Sequence, residues 1–275
     1  MFKGTLWLAL IIILATLIMA AAAPLISNHP PDQISLSERL MPPVFFNGNI
    51  AGHPLGTDQL GRDLLARMAY GARISLLVAA FGVIFGGGIG LCLGVVAGYV
   101  GGRVDTLIMR AVDVCLSFPI ILFAFPLAIV KGPGIDTVII AVTIGLWSRF
   151  ARVIRGEVLA LRDLDYINAA RVQNCSDLRI MIVHILPNVL NTFVVLMSLN
   201  IGWVIVAEAS LSFLGAGIPL PTSTWGSMAS DGKDFITSAW WISLLPGLGI
   251  TLLVLALNLF GDWLRDFLDP KLRQV

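Results

Sequence analysis

Residues 75–96 read SLLVAAFGVIFGGGIGLCLGVV, a stretch of 22 residues without a charged side chain. A bilayer core is about 30 Å thick, so about 20 apolar residues in a helix cross it once. Backbone N–H and C=O groups in hydrocarbon must pair within their own segment, which favours a helix for this stretch. The sequence therefore predicts a membrane protein built from helices.

Glycine recurs every four residues within this stretch and just beyond it. The five glycines of this ladder are Gly82, Gly86, Gly90, Gly94 and Gly98. Residues four apart lie on one face of a helix, and small residues there let a neighbouring helix approach closely. The ladder therefore favours tight packing within the chain. A face that packs against a second subunit or lines a path is the alternative.

Five more apolar stretches lie along the chain. The six predicted spans cover residues 6–23, 75–96, 111–130, 135–150, 189–209 and 241–260. The third is interrupted by Pro119 and Pro126, and the fourth is short. The chain of 275 residues is 57% apolar and 13% charged, whereas soluble proteins have about 25% charged residues. The predicted fold class is all-α: a polytopic membrane protein with six transmembrane helices.

Basic residues are shared unevenly between the segments that join the spans. With the N-terminus inside, 12 of the 18 Lys and Arg residues fall on inner segments. Such an excess is typical of the cytoplasmic side of a membrane. Both termini are therefore predicted to lie in the cytoplasm, with residues 1–27 as the first transmembrane helix.

A long outer loop is predicted over residues 28–72. Its first part is rich in proline, which favours irregular structure. The stretch 58–73 is predicted to form a helix along the membrane interface, with Leu60, Leu64 and Met68 on one face.

Residues that bear chemistry are few and scattered. The cysteines are Cys92, Cys115 and Cys175, and the histidines are His29, His53 and His184. They show no Cys-x-x-Cys or Cys/His spacing, which argues against a disulfide framework and a zinc site. A net charge of +1 gives no electrostatic support for a nucleic-acid partner.

The most informative segment is residues 164–187, LDYINAARVQNCSDLRIMIVHILP, within a predicted cytoplasmic loop at 151–187. Ile167, Ala170 and Arg171 share one face of a short predicted helix. A turn follows, because Asn, Cys and Ser stand together at 174–176.

A second short helix is predicted to follow this turn. Ser176 is a good N-cap residue and Asp177 favours a helix N-terminus. Pro187 is predicted to stop this helix where the next span begins. Two short helices joined by a tight turn would form a lever that passes a partner's motion into the bundle.

This segment resembles the Glu-Ala-Ala signature of ABC-importer permeases, which continues with a glycine and an Ile-x-Leu-Pro sequence. The chain has Asn168-Ala169-Ala170, Asn174 and His184-Ile185-Leu186-Pro187 at the same spacing. Asn168 stands where the signature has Glu, so a charge-assisted contact to a partner is expected to be weaker. Asn174 stands where the signature has Gly, and Asn tolerates left-handed turn geometry better than most residues.

Four further segments resemble the dipeptide, oligopeptide and nickel permeases of this family. They are HPLGTDQLGRD at 53–63, GGRVDTLIMR at 101–110, LSFLG at 211–215 with Trp225-Gly226, and NLFGD at 258–262 with LDP at 268–270. The long outer loop is similar to that of the second, or "C", permease subunit. The resemblance implies a type I ABC-importer transmembrane domain over 73–262 and a cytoplasmic tail over 263–275.

The resemblance also implies a function and a set of partners. A permease of this kind moves dipeptides or oligopeptides into the cytoplasm across a bacterial-type inner membrane. Its partners are a homologous second permease, two cytoplasmic ABC ATPases and an extracytoplasmic solute-binding protein. The implied ATPase-coupling residues are Tyr166, Asn168, Ala169, Ala170, Asn174, Ser176 and Pro187.

No nucleotide site is expected on this chain itself. A phosphate-binding loop needs Gly-x-x-x-x-Gly-Lys-[Ser/Thr], but Gly232-Lys233 is followed by Asp234. The chain is therefore predicted to bind no cofactor and to have no ATPase activity, with ATP and magnesium held by the partner ATPases.

Three rival functions stay open at this point. A nickel or metal-chelate importer shares these motifs. A membrane-embedded enzyme would need paired acids, a His cluster or a nucleophile in the bundle, and the sequence offers none. A secondary transporter would show inverted repeats and broken helices around coupling ions.

Two acidic residues in the predicted spans need an explanation. Glu208 lies near the outer end of the fifth span, where acids are costly and often functional. A paired structural acid and a path-lining acid are both open. Asp113 is predicted to pair with Arg110, which precedes it by three residues.

Overall fold

The structure is a computed structural model that describes residues 3–27, 29–46 and 52–268. Within these residues it is helical, apart from irregular loops and one isolated β-bridge between Thr57 and Asp63. The helices are α1 (Lys3–Ala21), α2 (Ala23–Ile26), α3 (Leu64–Val100), α4 (Gly102–Ser117), α5 (Ile121–Lys131), α6 (Ile135–Leu161), α7 (Asp165–Val172), α8 (Asp177–Arg179), α9 (Leu186–Phe213), α10 (Trp225–Asp231) and α11 (Trp241–Leu268). Single 3₁₀ turns lie at Leu36–Glu38 and Lys233–Phe235, and a π-helical segment lies at Ile180–Ile185.

Five helical segments in the described residues are long and apolar enough to cross a membrane. They are Gly4–Ala21, Leu64–Val100, Ile135–Leu161, Asp177–Phe213 and Trp241–Leu268. The pair α4 and α5 makes a sixth if it counts as one broken span, although its two axes differ by 89°. The all-α polytopic fold class is therefore confirmed.

The third predicted span, 111–130, is a sharply bent pair of helices. The break lies at Pro119, because the preceding residue, Phe118, takes the extended conformation that a following proline favours (φ −108°, ψ 136°). Pro126 lies inside α5 and does not end it. With 11 residues, α5 is about 16 Å long and too short to cross a bilayer alone.

The prediction of a separate interfacial helix at 58–73 is wrong. Helix α3 begins at Leu64 and continues through the second span to Val100. The Asp63 carboxylate accepts a hydrogen bond from the Ala66 N–H at 2.8 Å and caps the helix start. Leu64 and Met68 are buried, so their apolar face packs into the bundle rather than lying along a membrane surface.

Helix α6 runs eleven residues beyond the predicted end of the fourth span, from 150 to 161. Two basic residues near the predicted end of this span, which make the sequence less apolar, contact side chains of other helices. The Arg149 guanidinium lies 4.1 Å from the centre of the Trp203 ring. Arg155 donates two hydrogen bonds, of 2.7 and 2.6 Å, to Asp105. The predicted cytoplasmic loop at 151–187 therefore starts as helix.

The predicted local pair of Arg110 with Asp113 is wrong. Asp113 instead forms an ion pair with Arg152 of α6. Together with the Arg155–Asp105 pair, this contact holds α4 against α6.

The helix that follows the turn does not stop at Pro187. It passes through the π-helical segment Ile180–Ile185 and continues as α9 to Phe213. Proline lacks an N–H and blocks the normal α-helical bond to the carbonyl four residues earlier. Pro187 lies in the first turn of α9, and the wider π-helical turns just before it accommodate the missing bond.

The glycine ladder lies against α6. A Cβ at Gly86 would lie 2.9 Å from the Leu146 Cβ, and one at Gly98 would lie 2.7 Å from the Val158 Cβ. The other three ladder glycines make similarly close contacts with α6. These contacts lie within the chain and let α3 and α6 approach as one tightly packed pair.

The predicted domain limits do not follow the helix ends. The limit between 72 and 73 falls inside α3, and the tail predicted at 263–275 begins inside α11, which ends at Leu268. Residues 269–275 of that tail lie outside the described residues.

Candidate functional site: an exposed elbow and a buried ion network

An elbow of residues 165–185 projects beyond the C-terminal end of α3. It consists of α7, a turn, α8 and the π-helical segment. Ile167 and Ala170 of α7 are buried and pack in one cluster with Ile154 and Val158 of α6. The predicted shared face of α7 is therefore confirmed for Ile167 and Ala170, which anchor the elbow to the bundle, whereas Arg171 is exposed.

The turn of the elbow depends on Asn174, whose φ of 57° lies in the left-handed region. The Cys175 N–H donates to the Ala170 carbonyl at 3.1 Å, and the Asn174 N–H donates to the Arg171 carbonyl at 3.0 Å. This is the Schellman pattern that ends a helix and satisfies its last carbonyls. Asn is one of the few residues other than Gly that visits this conformation readily, so the predicted tolerance is confirmed.

The second helix of the elbow starts as predicted. The Ser176 hydroxyl accepts a hydrogen bond from the Arg179 N–H at 3.4 Å and acts as the N-cap. The six residues of the π-helical segment then lead into α9. Short π-helical segments within longer helices occur often at functional sites.

The elbow exposes several large apolar side chains among its polar ones. Tyr166 is 43% exposed, Val172 83% and Leu178 63%. Ile182 and Val183 of the π-helical segment are also exposed, within the apolar stretch Asp177–Phe213. A cluster of large apolar side chains left open at the end of a bundle marks an interaction surface.

Asn168 makes its contacts within the elbow. Its side-chain oxygen accepts a hydrogen bond from Arg171 Nη1 at 3.0 Å, and its amide nitrogen donates to the Asp163 carbonyl at 3.2 Å. The neighbouring Ala169 is exposed. A partner that covered this part of the elbow would therefore meet Ala169 directly.

A buried ion network closes the opposite, N-terminal end of α3. We use this name for Asp58, Arg62, Arg67 and Asp231. Asp58 and Arg67 are fully buried and form an ion pair. Arg62 Nε donates to Asp58 at 2.7 Å, and Arg67 Nη2 donates to Asp231 at 3.0 Å. The network ties the loop before α3 and the end of α10 to the first turns of α3.

Asp63 extends this closed region toward the preceding loop. Its carboxylate lies 2.9 Å from the His53 Nδ1 and accepts a 3.0 Å hydrogen bond from the Ser27 hydroxyl. The rings of His53 and His29 lie with their centres 4.5 Å apart and their planes tilted by 32°. In the described part of the chain, no three His, Cys, Asp or Glu side chains come together in a group that could hold a metal ion.

Glu208 lies on α9 and is completely buried. Its carboxyl oxygens accept hydrogen bonds from the Ser75 hydroxyl at 3.0 Å and the Ser212 hydroxyl at 2.8 Å. Glu208 thereby joins α9 to α3 within the bundle. It has the partners expected of a structural acid, and its side chain does not reach the bundle surface.

Comparison with known proteins identifies the chain. A family model described as "Binding-protein-dependent transport system inner membrane component" matches residues 90–274. The chain belongs to this family. The resemblance inferred from the signature segments is thereby confirmed, and the chain is a permease, the membrane component of an ABC importer rather than its catalytic subunit.

Relatives of this permease match nearly its whole length. It is 42% identical over 266 residues to a putative peptide transport system permease protein of Brucella suis biovar 1, covering 97% of this chain and 88% of that protein. It is 41% identical over 266 residues to the dipeptide transport system permease protein DppC of Bacillus subtilis, covering 96% and 81%. A probable D,D-dipeptide transport system permease protein of Escherichia coli is 38% identical over 261 residues, covering 95% and 86%.

Solved structures support the fold of the permease. The inward-facing MetNI methionine ABC transporter matches it with a TM-score of 0.60 and 19% identity, covering 72% of this chain and 94% of that one. At that identity the likeness concerns the fold, which is that of a type I ABC-importer transmembrane subunit.

The predicted site residues lie in three parts of the fold: the elbow, helix α3 and helix α9. The elbow brings together Tyr166, Asn168, Ala169, Ala170, Asn174 and Ser176, with Pro187 just beyond it. Ala170 differs from its neighbours because it faces the core. The glycine ladder lies along α3, and Glu208 lies on α9 near the N-terminal half of α3.

Sequence reasoning overlooked several residues that matter to both ends of α3. Arg67 and Asp231 pair across 164 residues of sequence, and no local pattern signals such a contact. Tyr99 was also overlooked, although a tyrosine two residues before the Gly101-Gly102 helix break was visible as a polar side chain at the end of an apolar span.

Proposed function

We propose that this permease is one of two membrane subunits of an importer that carries dipeptides or oligopeptides into the cytoplasm. Its relatives at 38–42% identity bear dipeptide or peptide names, which favours peptides over nickel complexes. The importer would also contain a homologous second permease and an extracytoplasmic solute-binding protein.

The exposed apolar side chains of the elbow support the proposal that ATP hydrolysis by separate subunits drives transport. We propose that two separate ATPase subunits, which hold ATP and magnesium, dock on the elbows of the two permeases. Tyr166, Val172 and Leu178 would be covered in that contact, as large apolar side chains at an interface usually are. Closure of the ATPase pair would then push the elbow and switch the bundle between inward and outward openings.

This assignment also sets the orientation. We propose that the elbow and both termini face the cytoplasm, because 12 of the 18 basic residues fall on that side. The ion network would then face the outside, where the loop at 52–63 would meet the solute-binding protein.

Uptake measurements test the substrate. A strain that lacks the gene should lose uptake of a labelled dipeptide, and the wild-type gene should restore it. Uptake of labelled nickel should not change. Loss of nickel uptake with normal dipeptide uptake would overturn the peptide assignment.

Copurification tests the docking surface. A tagged wild-type permease should copurify with an ATPase pair, and Ala169→Arg should lower the recovered ATPase at least about tenfold, as expected for a bulky charge in the centre of an interface. Ser37→Arg, exposed near the opposite end of α3, is the control and should recover wild-type amounts. Equal recovery with both variants would mean that the ATPase docks elsewhere.

A further inference from the structure

Tyr99 contacts both helices of the elbow from the last turn of α3. Its hydroxyl donates a hydrogen bond to Asp177 Oδ1 at 2.7 Å. The Arg171 guanidinium carbon lies 5.4 Å from the centre of its ring. Arg171 belongs to α7 and Asp177 to α8, so one side chain of α3 holds both sides of the turn at Asn174.

The surroundings of Tyr99 make these contacts specific. Tyr99 is 8% exposed and packs in the cluster that includes Ile154, Ile167 and Ile180. A buried phenol needs a hydrogen-bond partner, and a bond to a carboxylate is shorter and stronger than one between neutral groups. A cation over the ring face adds an electrostatic attraction.

Asp177 is well placed to receive this bond. It is the first residue after the N-cap Ser176, and a carboxylate at a helix N-terminus is stabilised by the helix dipole. On the other side of the turn, Arg171 also donates to Asn168. A chain of contacts therefore runs from Asn168, at the signature position, through Arg171 and Tyr99 to Asp177.

These contacts attach the elbow to α3. The elbow is also joined to α6, whose last residue lies four positions before α7, by a short link and by the buried Ile167 and Ala170, and it continues into α9. Because the glycine ladder packs α3 tightly against α6, an elbow held to both helices cannot swing on the link alone. A push on the elbow then moves the α3–α6 pair as one body.

We propose that Tyr99 is a positioning residue that fastens the elbow to α3 through Asp177 and Arg171, so that the energy of ATP hydrolysis reaches the transport path. This inference rests on the proposed function, since it requires that an ATPase pushes the elbow. Without the tyrosine hydroxyl, hydrolysis continues but moves the bundle less effectively.

The test uses the whole transporter in proteoliposomes and the variant Tyr99→Phe, which keeps the ring and its packing. The dipeptide imported per ATP hydrolysed should fall at least about fivefold, the order expected when a hydrogen bond to a charged group is lost. The amount of assembled complex should stay at the wild-type level. Tyr70→Phe makes the same change near the other end of α3 and should keep the wild-type ratio.

A double-mutant cycle shows whether the effect passes through Asp177. Tyr99→Phe should lower the ratio in the wild-type background and have no further effect with Asp177→Ala, because that variant has no side-chain oxygen to accept the hydrogen bond. Additive effects, or a wild-type ratio in Tyr99→Phe, would overturn the inference. A wild-type complex that hydrolyses ATP but imports no dipeptide would overturn the proposed function. A wild-type complex that imports dipeptide, together with an equal ratio in Tyr99→Phe, would overturn only this inference.

Discussion

The two ends of α3 are built in opposite ways. At the N-terminal end, Asp58 and Arg67 are fully buried and paired with further charges and backbone N–H groups. At the C-terminal end, the elbow buries a small apolar cluster and leaves large apolar side chains such as Val172 and Leu178 exposed. The first arrangement holds elements together, and the second offers a surface to a partner.

The two ends of α3 therefore differ in the free energy needed to separate their parts. Separating buried charges leaves each without a partner in a medium of low dielectric constant, which is costly. Apolar side chains at an open surface lose nothing when a partner covers them. The helix α3 joins both regions, and its glycine ladder packs it closely against α6.

The largest expected effect breaks the closed end. Arg67→Met removes one member of the ion network and leaves Asp58 with one fewer cation, so the free energy of unfolding should fall by about 3–5 kcal/mol. Denaturant titration of the purified permease in detergent measures it. Arg39→Met, at an exposed arginine of the same loop region, is the control and should change little. Equal losses in the two variants would show that burial of the network contributes nothing.

The next largest effect concerns the packing of α3, which joins the two ends, against α6. A Cβ at Gly90 would lie 2.5 Å from the Trp147 carbonyl oxygen, so Gly90→Ala must push α3 and α6 apart. The expected loss of unfolding free energy is about 1–3 kcal/mol.

The neighbouring glycine supplies the control for this prediction. A Cβ at Gly88 would have no heavy atom within 4 Å, so Gly88→Ala should leave the free energy of unfolding unchanged or raise it slightly, since alanine favours a helix more than glycine does. A Gly90→Ala variant as stable as Gly88→Ala would contradict the close approach of the helices.

A smaller effect concerns the turn of the elbow. Asn174→Val places a β-branched residue at a φ of 57° and should cost about 1–2 kcal/mol. Asn174→Gly should be neutral or slightly stabilising, since glycine has no Cβ to strain. Hydrogen exchange of the α7 amides measures local opening. Faster exchange in the glycine variant than in the valine variant would contradict the left-handed geometry.

The smallest expected effect concerns Asn168, which stands where the signature has Glu. Asn168→Glu should form an ion pair with Arg171 three residues later and stabilise α7 by about 0.2–0.5 kcal/mol. The gain should disappear at high salt, because the pair is exposed. Asn168→Gln keeps the size without the charge. A salt-independent gain, or the same gain with glutamine, would exclude an ionic cause.

Much of the elbow was predictable from its residues. The N-cap role of Ser176, the left-handed turn at Asn174 and the buried face of Ile167 and Ala170 follow from interactions within a few residues of the chain. The end of α6 was not predictable in the same way, because hydropathy treats Arg149 and Arg155 as breaks in an apolar run. The helix continues since Trp203 and Asp105, which are remote in sequence, receive those guanidinium groups.

The helical membrane fold, the number of apolar stretches, the glycine face of α3 and the family of the chain all follow from the amino-acid sequence. These features depend on composition, periodicity and local spacing, which act within one segment. Only the tertiary structure decided that Arg67 meets Asp231, that α6 occupies the glycine face and that Tyr99 bridges the turn of the elbow. Such contacts join residues far apart in the chain, so they arise only when the helices pack together.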